Sequence, residues 1–376
     1  MMKTQTECNA RQLGFFLAFF LPVGKLLELP SLLASEAGGD LLFPAFLGLG
    51  VEALALAAVF LFVKRTGMGV FAFLDRKNSG LGKAARFLYC ALLLVYAFPF
   101  LLDLEKFSHA AFSDTEPTFF SFLPFFILCG FISTKGLKAV GRSADLCPVL
   151  FFLPFVGLAV LSFGSADFSN LLPILEKPLF SHVKTVFHTS PFWTSGLLFL
   201  PLFEGYSHKS GDGKKLFFAY AVGACLVLLF LAIFYGLYGP IAEKEHYALS
   251  KIGLFFPALA TLGRTDLLLV YLITVVLFFF TALPVQLSVD LFAKGLSLKQ
   301  KTLPSAAVNL GLFVAVLFLN RHYNAVYGFL TKTLSPVFFL FGTVAPLLFL
   351  LLALLEGKGR GQVRGERKKK GEGYAR

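Results

Sequence analysis

Long apolar runs separated by short polar segments recur along the whole chain. A helix rises about 1.5 Å per residue, so roughly 20 apolar residues cross the ~30 Å hydrocarbon core of a bilayer. The apolar runs are continuous rather than alternating, so they predict transmembrane helices and not barrel strands. We predict ten spans, at 12–36, 41–63, 86–104, 117–134, 144–164, 189–206, 215–239, 265–292, 303–320 and 327–355.

The composition supports a membrane protein. Hydrophobic residues make up 57% of the 376 residues and charged residues only 15%, whereas a soluble domain carries about 25% charged residues. We therefore predict an all-α polytopic membrane protein with lipid as its main solvent. Residues 1–356 form the transmembrane domain in this prediction, and the basic, Gly-rich residues 357–376 form a disordered tail.

The basic residues predict the orientation of the chain in the cell membrane. Most of the 34 Lys and Arg residues fall in the N-terminal segment, in alternate loops and in the tail. Cytoplasmic segments are rich in these residues, so an even number of spans places both termini in the cytoplasm. Topology and anionic lipid head groups account for the net charge of +12, so we expect the lipid bilayer and not nucleic acid as a partner.

The sequence does not predict an enzyme. It contains no G-x-S-x-G, no H-E-x-x-H and no P-loop, the short motifs on which hydrolytic and nucleotide chemistry rests. The cysteines lack C-x-x-C spacing, and the histidines lie mostly near span ends or in loops. We therefore expect neither a metal site nor a cofactor.

The first span contains helix-breaking residues near its middle. Pro22 and Pro30 each remove a backbone donor, and Gly24 between them weakens the helix. Unpaired backbone groups at membrane depth are tolerated only against protein or a wet cavity. The pattern therefore predicts an interrupted helix beside a binding site.

Two charges lie within the same interrupted segment. Lys25 and Glu28 are three residues apart and share a helix face if the segment stays helical. A charge near mid-membrane costs at least ~2.5 kcal/mol on insertion scales, so each needs a partner. Two interpretations remain open. The residues form an ion pair that holds the bend, or Lys25 binds a substrate carboxylate or occupies the place of a coupling cation.

The sixth span carries a second predicted interruption. Trp193, the only tryptophan, is followed by Thr194, Ser195 and Gly196, after which an apolar run resumes toward Pro201. Small hydroxyl residues satisfy freed backbone groups or bind a ligand equally well. Spans one and six hold corresponding places in two five-helix halves, and such paired interruptions indicate an inverted-repeat transporter.

Two further positions in the second span bear on this hypothesis. Glu52 lies among apolar residues and is either a proton-titrating site or a partner for a neighbouring helix. Gly48 is expected to face outward, where a side chain does little harm. By contrast, we expect Gly24→Val and Gly196→Val to abolish ligand binding in a protein that still folds.

Several short motifs, taken in order, resemble the spore germination permease family within the amino acid, polyamine and organocation superfamily. This family includes the B-subunit type of nutrient germinant receptor. The motifs are Gly24-Lys25-Leu26-Leu27-Glu28-Leu29-Pro30, Gly141-Arg142, Asn170-Leu171-Leu172-Pro173-Ile174-Leu175, Leu198-Phe199-Leu200-Pro201 and Gly263-Arg264.

The resemblance implies a ten-span, LeuT-type 5+5 fold that binds an amino acid or similar small nutrient between broken helices one and six. Lys25 departs from the small residue usual in the family, and Gly196 lies about where a glutamate is common. The substrate-binding residues expected on this basis and from the two interruptions are Val23, Gly24, Lys25, Leu26, Trp193, Thr194, Ser195 and Gly196.

The resemblance leaves two functions open, and neither is enzymatic. The first is a permease, with protons as the coupling ion through Lys25, Glu28 or Glu52. The second is a nutrient-sensing subunit of a spore germinant receptor in the spore inner membrane. Such a subunit passes a conformational change to partner subunits instead of transporting its ligand.

Overall fold

The computed structural model describes residues 9–112, 118–146, 153–173, 175–206, 208–245, 248 and 266–355. The described chain is helical over most of its length. Within it, five helices are long and apolar enough to cross a membrane: Leu29–Thr66, Ser79–Leu104, Asp212–Lys244, Thr302–Val326 and Ser335–Leu355. The chain is therefore a multi-pass α-helical protein, and the count of ten spans stays a prediction. The predicted basic tail, 357–376, lies outside the described residues.

The helices follow one another with short connections. The first nine are α1 (Ala10–Phe15), α2 (Leu21–Lys25), α3 (Leu29–Ala37), α4 (Leu42–Thr66), α5 (Val70–Lys77), α6 (Ser79–Phe112), α7 (Thr118–Ser133), α8 (Leu137–Ala144) and α9 (Leu153–Phe163). The others are α10 (Leu179–His188), α11 (Ser190–Trp193), α12 (Gly196–Leu202), α13 (Asp212–Tyr238), α14 (Asp266–Gly295), α15 (Thr302–Leu319), α16 (Tyr323–Gly328) and α17 (Ser335–Phe339).

Short 3₁₀ and π-helical segments join or extend these helices. The 3₁₀ segments are Gly38–Leu41, Phe168–Leu171, Phe203–Gly205, Gly239–Lys244 and Asn320–His322. The π-helical segments are Phe16–Phe20, Phe329–Thr333 and Leu340–Val344. The last of these leads into a helix over 345–355, which completes the candidate span Ser335–Leu355.

The first predicted span consists of two helical parts. Helices α1 and α2 run on through the π-helical turn Phe16–Phe20, and the helix stops at Leu26–Glu28 before α3 begins. Pro22 follows the π turn, whose wider spacing accommodates a ring that lacks an N–H and clashes with the preceding turn. The interruption thus lies after Gly24 and ahead of Pro30, slightly later than the proline pattern alone indicates.

The sixth predicted span starts earlier than the sequence indicates. Helix α10 begins at Leu179, ten residues before the expected start at 189. The chain leaves the helix at Thr189 and again at Thr194 and Ser195, so α10, α11 and α12 are three successive pieces. Pro191 lies at the start of α11, where a missing N–H costs little.

The helices pack most closely where small residues face a neighbour. Gly223 of α13 lies so near the first span that a Cβ atom there would be 2.5 Å from the carbonyl oxygen of Leu17. Unlike a soluble protein, the described part of the chain exposes many large apolar side chains on its surface. Phe46, Phe218 and Phe318 are 64%, 73% and 74% exposed, as expected for residues that face acyl chains.

The ten-span topology makes a direct prediction. A reporter fused after Arg376, or inserted near Arg76, should report the cytoplasmic side, because both lie in segments rich in basic residues. A reporter near Asp114 or Glu245 should report the opposite side. Paired phosphatase and fluorescent-protein fusions measure this, and an external signal near Arg76 would overturn the topology.

Candidate functional site

A buried ion pair joins the end of α2 to α4. The Lys25 ammonium donates to Glu52 Oε1 at 2.9 Å, and the two residues are 3% and 1% exposed. Such a pair is maintained only if each charge compensates the other, because desolvation of either one alone is costly. The pairing with Glu28 considered from the sequence is not formed. Lys25 instead reaches a residue 27 positions along the chain.

Tyr220 of α13 completes the cluster. Its hydroxyl lies 2.9 Å from Glu52 Oε2 and 2.7 Å from the carbonyl oxygen of Leu49, so its single proton is shared between two acceptors. Each Glu52 oxygen therefore has a partner on a different helix. Helices α2, α4 and α13 are thus joined at one carboxylate.

Trp193 lies beside the ion pair and belongs to the sixth predicted span. The Lys25 ammonium is 6.0 Å from its ring centroid, within the range of a cation–π attraction. The indole Nε1–H donates to Thr189 Oγ1 at 2.8 Å, so a residue at the first interruption of this span holds the ring. Gly48, expected to face outward, instead faces Trp193, and a Cβ atom there would be 2.4 Å from the indole. The expectation for Gly48 is therefore wrong.

The hydrogen bond from Trp193 to Thr189 is testable by fluorescence. In Thr189→Val the indole N–H loses its acceptor inside the protein, and we expect a loss of roughly 1–3 kcal/mol in stability. Because Trp193 is the only tryptophan, its emission maximum should shift. Thr66→Val removes a hydroxyl that bonds the carbonyls of Phe62 and Met68 and should leave the spectrum unchanged. An unaltered spectrum in Thr189→Val would contradict the described contact.

The space beside Gly24 is filled by an aromatic ring. A Cβ atom on Gly24 would lie 2.1 Å from the ring of Phe280 in α14. Phe280 stacks on Phe20 with 5.1 Å between centroids and makes an edge contact with Phe100 at 4.6 Å. Gly24 is thus needed for packing against Phe280 in this conformation, in addition to any role with a ligand.

Gly196 allows a close approach of two backbones. A Cβ atom there would lie 1.7 Å from the carbonyl oxygen of Gly342 and 3.4 Å from the Ala55 side chain. Gly342 in turn faces Thr194: a Cβ atom built on Gly342 would lie 2.4 Å from the Cβ atom of Thr194. The expectation that a side chain at Gly196 leaves folding intact is therefore wrong, since backbone atoms cannot move aside.

The other sequence-predicted residues are buried around the same helix ends. Thr194 donates its hydroxyl to the carbonyl of Pro191 at 3.2 Å, and the carbonyl of Ser195 accepts from the first turn of α12. The carbonyl of Glu28 accepts from Ser31 Oγ at 3.0 Å. The predicted residues that the structure buries are Val23, Gly24, Lys25, Leu26, Glu28, Glu52, Trp193, Thr194, Ser195 and Gly196.

Sequence reasoning missed three residues of this region: Tyr220, Phe280 and Gly342. Each lies in an apolar run of a distant span, where aromatic and glycine residues are common. No local signal separates Tyr220 from the other tyrosines. Only tertiary packing brings these residues to the region: α13 and α14 pack against the first helices, and the π-helical segment Leu340–Val344 packs against α4 and α12.

Comparisons with known proteins bear on the family and the fold of the chain. A family model described as "Spore germination protein" matches residues 54–326, which leaves the segment around Gly24 and Lys25 outside the match. No curated protein matches the chain. The crystal structure of MhsT in complex with L-phenylalanine is similar, with a TM-score of 0.54 and 14% identity over 91% of this chain and 98% of MhsT.

The structural likeness establishes the fold, because MhsT is a transporter of the LeuT fold. The match to the family model covers well over half of the chain and confirms the resemblance drawn from the short motifs. A permease-type membrane role follows from the family and the fold together. The chain belongs to the spore germination protein family.

Proposed function

We propose that this chain binds an amino acid or similar small nutrient between its interrupted first and sixth spans and acts as a permease. Lys25 carries the proposal. Its ammonium has three N–H donors, and Glu52 is the one hydrogen-bond acceptor it meets within the described part of the chain. Two donors are left for a ligand carboxylate beside Trp193.

The ion pair matches the two charged ends of an amino acid. A ligand carboxylate can pair with Lys25 while the ligand ammonium pairs with Glu52, so that both buried charges stay compensated. Glu52 can instead take up a proton when Lys25 turns to the ligand, which couples binding to protonation. MhsT, which shares the fold, holds L-phenylalanine in its crystal structure, and this supports a ligand of the amino acid class.

Binding requires rearrangement of aromatic side chains. The ring of Phe280 covers Gly24, and the cavity bordered by Tyr96, Phe192 and Phe338 measures only about 20 Å³. This void holds a water molecule but no amino acid. A ligand that takes the place beside Gly24 therefore displaces the ring of Phe280.

The interruptions also support the ten-span, 5+5 arrangement. The helix of the first span ends after Lys25 and that of the sixth resumes at Gly196, and these interruptions hold corresponding positions in two proposed halves. In that arrangement the N- and C-termini are cytoplasmic, and Lys25, Glu28 and Glu52 are the charged residues available for ion coupling.

The family match favours a second function, a nutrient-sensing subunit of a spore germinant receptor. Ligand binding at the same residues would then change contacts with partner subunits in the spore inner membrane, with no net transport. The two functions share the site and differ in the consequence of binding.

Fluorescence and uptake together separate these functions. In proteoliposomes that hold only this chain, we expect at least one of the twenty amino acids to change Trp193 emission saturably. Uptake of that amino acid with a radiolabel supports the permease, whereas binding without uptake supports the sensor. If no amino acid alters emission and none is accumulated, the proposed ligand class is wrong.

A further inference from the structure

A cavity of about 180 Å³ lies between three parts of the chain. These are the π-helical segment Phe16–Phe20 of the N-terminal helix, the corner at 134–136 between α7 and α8, and α14. Phe16, Phe20 and Phe278 supply aromatic walls. Protein interiors seldom hold voids larger than a water molecule, and an apolar cavity of about 150 Å³ accepts benzene. The volume therefore fits a single aromatic ring or a short length of acyl chain.

The polar groups of this cavity lie together at the α7–α8 corner. Gln286 Nε2 donates to the carbonyl of Gly136 at 3.0 Å, which fixes the corner to α14. Lys135, the residue before Gly136, is exposed and also borders the cavity. Its ammonium lies 4.2 Å from the centroid of the Phe131 ring. One end of an otherwise apolar cavity thus carries a cation.

Among the described residues, the ammonium of Lys135 has no carboxylate partner. Asp290 lies one turn beyond Gln286 on α14, but it is paired with both Lys294 and Lys301. Within the described ranges no carboxylate lies within ion-pair distance of Lys135. The local field at the cavity mouth therefore favours an anion.

We propose that this cavity is a second ligand site, which takes an amphipathic anion. Its apolar body lies between the N-terminal helix and α14, and its carboxylate or phosphate pairs with Lys135. A small aromatic carboxylic acid and an anionic lipid share this chemistry, since each joins an apolar body to an anionic group. The site is separate from Lys25 and Glu52. Phe20 borders the cavity and stacks on Phe280, which covers Gly24, so an occupant would touch the ring pair that closes the first site.

Binding of radiolabelled 3-phenylpropionate to the full chain in phosphatidylcholine nanodiscs tests the site. We expect saturable binding that weakens about tenfold or more in Lys135→Gln, because a charge-assisted contact is lost. Ala282→Phe in α14 and Ala139→Leu in α8 each add bulk at a residue that lines the cavity and should each abolish binding. Lys64→Gln, which alters an exposed lysine at the end of α4, should bind like the parent.

Two further measurements sharpen the result. The uncharged amide 3-phenylpropionamide should bind more weakly than the acid to the parent, and should show no such difference in Lys135→Gln. Competition by phosphatidylglycerol added to the nanodiscs would support the site and identify a lipid as its source. Lack of competition, with acid binding intact, would support a soluble acid. Absence of saturable acid binding in phosphatidylcholine, or undiminished binding in both cavity-filling variants, would overturn the proposal.

Discussion

Replacement of Lys25 by Met is expected to destabilise the protein by roughly 3–5 kcal/mol and to remove ligand binding, because Glu52 is left buried without its counter-charge. The Tyr220 hydroxyl still donates to Glu52, but one neutral donor does not replace an ammonium. Thermal unfolding in detergent and ligand-induced Trp193 emission measure the two effects. Lys25→Arg should rescue only in part, since the guanidinium is larger and directs its donors differently.

A double variant separates the structural role of the pair from its role in binding. Lys25→Met combined with Glu52→Leu removes both charges together, and buried pairs replaced by apolar residues are often near neutral in stability. We expect stability within about 1 kcal/mol of the parent while binding stays lost. If the double variant binds amino acid like the parent, the ligand is held elsewhere and the proposed site is wrong.

Gly196→Val is expected to prevent stable folding rather than to block a ligand. The new Cβ atom would lie 1.7 Å from the Gly342 carbonyl oxygen. Because this oxygen belongs to the backbone, the clash cannot be relieved by rotation of a side chain. Overpacking of a core costs typically 1–3 kcal/mol even where side chains adjust, so we expect a larger loss here. The yield of monodisperse protein on size-exclusion chromatography, together with its melting temperature, measures this effect.

Gly50→Val provides the matched control for Gly196. Gly50 lies on α4, is exposed, and has no atom within 4 Å of a built Cβ. The same substitution there should leave yield and melting temperature close to those of the parent. Gly48 is two positions away but faces Trp193, so it cannot serve as the control. Equal behaviour of Gly196→Val and Gly50→Val would show that the described contact with Gly342 is incorrect.

The sequence alone determined the class of protein and the presence of interruptions in the helices. These properties are local, because hydrophobicity sets the solvent of each segment, and prolines or glycines weaken the helix where they occur. The end of α2 at Lys25 and the break at Thr194 and Ser195 follow from the same local chemistry. The cost of a charge in hydrocarbon likewise pointed to Lys25 and Glu52 before any fold was known.

Tertiary structure alone decided which residues meet. Lys25 pairs with Glu52 rather than with Glu28, Gly48 faces Trp193, and Phe280 covers Gly24. Helices that are apolar all round carry no periodic pattern to show which face a neighbour will cover. The rotation of each helix is set by packing between spans distant in sequence, and the pattern of apolar and polar positions does not contain that information.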